Sequence, residues 1–237
     1  SHYDAAGKKL FEATVIPNRG AWLEYDSDSN GVFSVRIDKN RKLPITTFVR
    51  ALLRIRDDVA KAELAADVAN ALTPMAGTDA EIFEIFGEED YMQKTIAAKD
   101  LDMTGDEALL EVYRKLRPGE PPTMDSAVKH LVQLLFDPRR YDLSRVGRYK
   151  YNKKLALSAR LAGRTLSRPV ADPLTGELVA EAGETVNREK ARKLEAMGVD
   201  TAWVRLEDGG ELKIFSNSMV DIGGFVSFDC GELGINE

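Results

Sequence analysis

The chain has 237 residues, a formal net charge of −6 at pH 7 and a hydrophobic share of 43%. That length holds one large domain or two smaller ones, each able to bury a core. The acidity excludes a protein that simply coats nucleic acid but leaves room for a local basic patch, because steering follows charge distribution rather than its sum.

Residues 16–42, "IPNRGAWLEYDSDSNGVFSVRIDKNRK", read as two short strands, a turn and a basic run. Strand side chains alternate between faces. Leu23 and Tyr25, with Phe33, Val35 and Ile37, make a core face, while Trp22 and Glu24, with Ser34, Arg36 and Asp38, make a polar one. "DSDSNG" supplies the turn, with Asn30-Gly31 suited to positive φ. Pairing Tyr25 opposite Phe33 predicts Trp22 opposite Arg36, so the register that buries the core leaves an indole on the polar face.

Helices are predicted over residues 45–53, 57–72, 79–86, 88–98 and 107–116 from their spaced apolar residues. "RPGEPPT" is a proline-dense loop, and its Thr123 caps a helix in which Met124, Ala127, Val128, Leu131 and Leu135 form one stripe. Asp137-Pro138 ends that helix. Residues 139–154, "RRYDLSRVGRYKYNKK", are the most basic stretch. Short β-prone runs over 165–184, a helix over 187–197 ended by Gly198, and strands over 201–206 and 211–215 follow, with a further strand expected over 225–228. Trp203, in an apolar strand, is expected in a core. The whole predicts an α+β chain: a mainly helical domain with a small antiparallel hairpin or sheet (1–156), then a β-rich module with one helix and the start of a return segment (157–237).

The chemistry is selective. A single cysteine, Cys230, excludes an internal disulfide framework and fits a reducing cytoplasm. One cysteine with His2 and His130 is too little for a typical zinc site. No apolar run is long enough to span a membrane, and no signal peptide is visible. The chain opens on Ser1 rather than Met, which reads as a piece of a longer polypeptide. There is no P-loop and no convincing Ser-His-Asp set. Adjacent helical carboxylates such as Glu88-Glu89 do not share a face, so a two-metal site is unsupported. The positive signals are two basic stretches interleaved with aromatics. Arg36, Lys39, Arg41 and Lys42 flank Trp22, and Arg139, Arg140, Arg145, Arg148 and Lys150 alternate with Tyr141, Tyr149 and Tyr151. Cations neutralise phosphates, and aromatic faces stack on unpaired bases. The competing reading is a pair of solvated edges with the tyrosines packed inward.

"RGAW", "RIDKNRKLP", "RPGEPPT" and "RYDLSRVGR" together resemble the lobe of the β subunit of bacterial DNA-directed RNA polymerase, across residues 10–155. The later stretch "VADPLTGELVAEAGETVNREKARKLEAMGVDTAWV" looks like a small β-β′ module inserted in that lobe. The resemblance implies a wall of the downstream-DNA cleft that helps hold the non-template strand of the transcription bubble. It implies that Trp22 stacks on a non-template base, that Asp38 and Arg117 border the same pocket, and that Lys39, Arg41 and Arg140 face nucleic acid. Arg36 and Lys42 join the expected nucleic-acid contacts from the basic pattern around Trp22. The family often carries a further arginine after "RID"; this chain has Lys39-Asn40, and a lysine makes only a point contact with phosphate. Implied partners are DNA, the polymerase subunits β′, α and ω with the rest of β, sigma factor and transcription regulators, at a cytoplasmic, nucleoid-associated location. The nucleotidyltransferase chemistry uses Mg²⁺ ions bound by β′, so no cofactor and no catalytic residue is expected in this chain. The alternative is a docking surface for sigma factor or regulators.

Overall fold

The computed structural model describes residues 2–63, 75–217, 228, 229 and 232. The expected strand over 225–228, the later part of the 57–72 helix and Cys230 lie outside the described residues, apart from Phe228. Strands β1 (His2–Tyr3) and β2 (Lys9–Leu10) close a small antiparallel hairpin. Strands β3 (Glu12–Val15), β4 (Leu23–Ser27), β5 (Phe33–Ile37) and β6 (Leu43–Pro44) then form an antiparallel sheet in chain order.

The β4–β5 register differs from expectation by two residues. Leu23 pairs with Ile37, Tyr25 with Val35 and Ser27 with Phe33, so Trp22 lies across from Asp38 rather than Arg36. An even slip keeps every side chain on its expected face. Its cause is a tighter turn. The Asp28 carboxylate accepts from the N–H groups of Asn30 (2.8 Å) and Val32 (3.0 Å), and the Asp28 N–H donates to the Val32 carbonyl (3.1 Å). Of the Asn-Gly pair, only Gly31 takes positive φ.

Helix α1 (Ile45–Arg54) packs beneath the sheet, followed by α2 (Arg56–Glu63), α3 (Asp79–Phe86) and α4 (Asp90–Thr95). A π-helical turn, Ile96–Asp100, continues α4 where one regular helix was expected. Helix α5 (Gly105–Leu116) opens on a capping box in which the side chains of Thr104 and Glu107 reciprocally cap the backbone. Helix α6 (Met124–Leu135) is capped by Thr123, whose hydroxyl accepts from the Ser126 N–H. The chain divides into two compact units, Ser1–Ser144 and Arg145–Glu237. In the first, Leu23, Val35, Ile37 and Leu43 of the sheet meet Phe48 and Ala51 of α1, Leu109 and Val112 of α5, and Leu131 of α6. Fully burying each such aliphatic side chain contributes roughly 1.5–3 kcal/mol.

A charged cluster sits inside this apolar frame. Arg50 of α1 is 1% exposed. Its Nε donates to Asp100 (3.0 Å), its Nη1 to the Gly77 carbonyl (2.9 Å), and its Nη2 pairs with Asp79. Asp100 also accepts from the Thr46 and Thr47 hydroxyls, at 2.9 and 3.2 Å. The approach is close enough that a Cβ at Gly105 would lie 2.1 Å from the Ala76 carbonyl oxygen.

The second unit opens at the second residue of α7 (Ser144–Leu155), a helix that arises from the basic run with no apolar stripe to announce it. It continues through α8 (Leu157–Leu161), β7 (Val170–Ala171), β8 (Leu178–Ala180), α9 (Arg188–Ala196), β9 (Thr201–Arg205) and β10 (Glu211–Phe215). Asn187 caps α9 by accepting from the Lys190 N–H at 2.8 Å. Leu157, Leu161, Leu166, Val186, Leu194, Val204 and Ile214 are among the residues of its core. Trp203 is not in that core. Ala202 and Val204 take the inward positions of β9, so strand alternation turns the indole to the other face, where it is half-buried.

Candidate nucleic-acid interface

The sheet of the first unit positions the expected contacts. Trp22 immediately precedes β4, and its carbonyl accepts from the Asp38 N–H at 2.9 Å, which fixes the two residues opposite each other. Its neighbours Ala21 and Leu23 are buried, whereas Trp22 is 46% exposed. Arg36 lies one pair further along the same face, opposite Glu24, and is half-buried with its Nε lacking a hydrogen-bond partner.

Beyond β5 the backbone turns sharply. Asp38 and Lys39 both adopt positive φ, 48° and 65°, and the Asn40 N–H returns to the Ile37 carbonyl at 3.0 Å. Left-handed conformations at non-glycine residues cost about 1–2 kcal/mol each, less for Asp. Both side chains are exposed. The strain therefore fixes an acid and a cation at the mouth of the hairpin, beside the indole. Asp and Asn flanking Lys39 were a readable turn signal, but the positive φ of Lys39 had none. Arg41 is exposed on the same connection, whereas Lys42 reaches back to an ion pair with Asp26.

Arg140 arrives from a distant part of the chain. Arg19 and Asp142 form a two-way backbone bridge (3.1 and 2.8 Å), and the Arg19 guanidinium donates to the Pro138 carbonyl at 3.0 Å. Gly20, at φ 122°, makes this docking possible, because a Cβ there would lie 2.7 Å from the Tyr141 ring and 2.9 Å from the Arg140 carbonyl oxygen. The Arg140 backbone thus rests two residues from Trp22, with its side chain exposed. Tyr141 sits close enough to Tyr25 to add to the burial that pushes the Tyr25 hydroxyl up to about 12.

Arg117 caps α5 and contacts Glu120 at 3.4 Å. Glu120 also accepts from the Tyr113 hydroxyl (2.8 Å), which raises the tyrosine's pKa, and Tyr113 packs edge-on against His130. Burial depresses the His130 pKa; Arg117 and Arg140 lower it further, against the pull of Glu120. His130 therefore senses two of the expected contacts at once. The structure brings Trp22, Asp38, Arg36 and the Arg140 backbone together on the hairpin, and it places Arg117 and Arg140 both within electrostatic reach of His130. Sequence reading named Tyr141 and His130 but missed the seating of Tyr141 on Gly20 and the cluster around His130; only the glycine two residues before the tryptophan in "RGAW" was a usable signal.

Among the described residues, no group of His, Cys, Asp and Glu gathers to hold a metal ion, and no helix is long and apolar enough to cross a membrane. A family model described as RNA polymerase Rpb2, domain 2, matches residues 2–168. Over 234 residues, 99% of its length, the chain is 48% identical to a DNA-directed RNA polymerase subunit beta of Clostridium acetobutylicum and 50% identical to one of Acetivibrio thermocellus. It is 47% identical over the same length to the corresponding subunit of Clostridium tetani. The chain spans 17% of each of these relatives. With the matched domain covering most of its residues, the chain belongs to the RNA polymerase Rpb2 domain 2 family.

Proposed function

We propose that this chain is the lobe region of a bacterial RNA polymerase β subunit, and that it walls the downstream-DNA cleft and holds the non-template strand of the bubble. The observation that carries the reading is the 46% exposed indole of Trp22, held by two buried neighbours beside the strained Asp38-Lys39 turn. A flat aromatic face at a fixed position suits one unstacked base. Asp38 accepts from a base amine, and Arg117 donates to the acceptors on a guanine edge. Lys39, Arg41 and Arg140 supply phosphate contacts, with Arg36 supporting the face. Lys42 joins them only when it leaves Asp26. Nucleotidyl transfer, with its Mg²⁺ ions, falls to residues outside this chain; the role here is binding and orientation. Sigma factor and regulators would use faces other than the hairpin, and their contacts should weaken less steeply with salt than DNA contacts do.

The test is Trp22→Ala in the whole polymerase. Stacking on one base is worth about 1–3 kcal/mol, which corresponds to open complexes that dissociate roughly 5- to 150-fold faster. The intrinsic rate of nucleotide addition should be unchanged. Unaltered lifetimes on several promoters would remove the stacking role.

A further inference from the structure

Helix α7 is unlike every other long helix of the chain, because none of its twelve residues is buried. It carries Arg145, Arg148, Lys150, Lys153 and Lys154, and its sequence, "SRVGRYKYNKKL", contains no acid. All five cations are exposed, and among the described residues none of them forms an ion pair. Helix α9 of the same unit also carries cations, but it interleaves Glu189 and Glu195 with them, and two of its four are paired: Lys190 with Glu184 (2.5 Å) and Lys193 with Glu189 (2.9 Å).

The charge on α7 works against the helix itself. Arg145 lies in the first turn, where the macrodipole disfavours a cation. Arg145 and Arg148, Lys150 and Lys153, and Lys150 and Lys154 are like charges at helical neighbour spacings, which is destabilising. A lone helix of this length is marginal in water even with a favourable sequence. A negatively charged partner relieves all of these terms together. At 100° per residue, Arg145, Arg148, Tyr149 and Lys153 fall on one side, and the half-buried Gly147 and Tyr151 fall on the other. Tyr149 is 66% exposed, so its hydroxyl is placed to donate alongside the cations.

We propose that α7 is a second nucleic-acid contact, which grips the phosphate backbone of DNA without reading its bases. The proposal rests on the reading of the chain as a DNA-holding part of a polymerase. Arg145 to Lys154 spans about 14 Å of helix axis at 1.5 Å per residue. One DNA strand presents about four phosphates over that distance. An acidic protein would be expected to bring a central apolar anchor, whereas α7 offers it only Val146 and Tyr149 as large exposed apolar groups before Leu155.

The experiment compares whole polymerase carrying R145Q/R148Q/K153Q with wild type, with the charge-preserving R145K/R148K/K153R and with Trp22→Ala. The readout is the dependence of DNA affinity on salt, for promoter and non-promoter duplexes. Each lost phosphate contact flattens the slope of log affinity against log salt by about 0.9, so the triple variant should flatten it by roughly 2–3, equally for both sequences. The charge-preserving variant should keep the slope. Single Arg148→Gln should flatten it by about 1, which provides a milder version if the triple variant is unstable. An unchanged slope in assembled polymerase overturns the proposal. So does failure of the neutral variants to assemble when the charge-preserving one assembles, since the helix would then be a protein contact. A flattened slope together with unaltered Trp22→Ala lifetimes would remove base stacking and leave this contact standing; the reverse pair removes this contact alone.

Discussion

Each unit carries one tryptophan on the outward face of a short antiparallel hairpin, and the two are finished differently. Trp203 of β9 is covered by the protein itself: the Arg168 guanidinium lies 3.8 Å from the ring centroid, and Glu211 holds it there through Nε (3.1 Å) and Nη2 (2.7 Å). Trp22 has no such cover among the described residues, and its backbone is instead pinned to a strained turn. A planar aromatic on a polar face gains from a flat partner. In the second unit that partner is intramolecular; in the first the ring stays 46% exposed. Outward orientation is therefore a weak signal by itself, and what lies over the ring is the informative one.

The largest effect should come from breaking the platform under Trp22. Helix α1 packs its Phe48 and Ala51 against Val35, Ile37 and Leu43 of the sheet, and the buried Arg50–Asp100 pair ties α1 to the π-helical turn. Asp100→Ala leaves a guanidinium that is 1% exposed without its main counter-charge. Removing one partner of a buried pair costs about 3–5 kcal/mol. Denaturant titration in a Trp203→Phe background should show the Trp22 signal shifting to much lower denaturant. In a Trp22→Phe background the Trp203 signal should keep its midpoint. A loss below about 1 kcal/mol would mean that Asp79 alone satisfies Arg50.

Removing the cover over Trp203 is a smaller change. Arg168→Ala forfeits a cation–π contact worth about 0.5–1 kcal/mol at an exposed site. The better readout is accessibility: the Trp203 fluorescence should become as open to a neutral quencher as that of Trp22, while Trp22 stays as it was. If Trp203 quenching does not rise, another part of the protein covers the ring, and the contrast between the two tryptophans loses its basis.

The faces of the first hairpin were legible in the sequence because alternation depends only on parity. The two-residue slip between β4 and β5 was invisible to parity, and it was set by how the Asp28 carboxylate folds its own turn. The outward placement of Trp203 was misjudged because apolar neighbours on both sides suggested a buried strand, and Arg168, which lies over the ring, is far from it in sequence. Trp22, Asp38 and Lys39 could be nominated from a local pattern joined to a family resemblance. The docking of the Arg140 segment on Gly20 and the gathering of Arg117 and Arg140 within electrostatic reach of His130 depend on long-range packing, which no local pattern carries.

The smallest effect is titration, and it too should separate the units. The only histidines are His2 and His130, both in the first unit. Burial and the charges of Arg117 and Arg140 hold His130 below its ordinary value of 6.5. Above that value the ring is neutral in both folded and unfolded chains, so it adds no pH dependence. As pH falls through 6.5 the unfolded chain takes up the proton first, so stability declines until pH passes the lower folded value. Thermal melts at low salt should therefore show the first unit losing stability between pH 7 and 5.5. His130→Gln should flatten that decline, and the second unit should be indifferent over the same window. Wild type and His130→Gln running parallel through this range would mean that neither burial nor the two arginines lower the proton affinity of the ring, and the shared reach of Arg117 and Arg140 to His130 would lose its support.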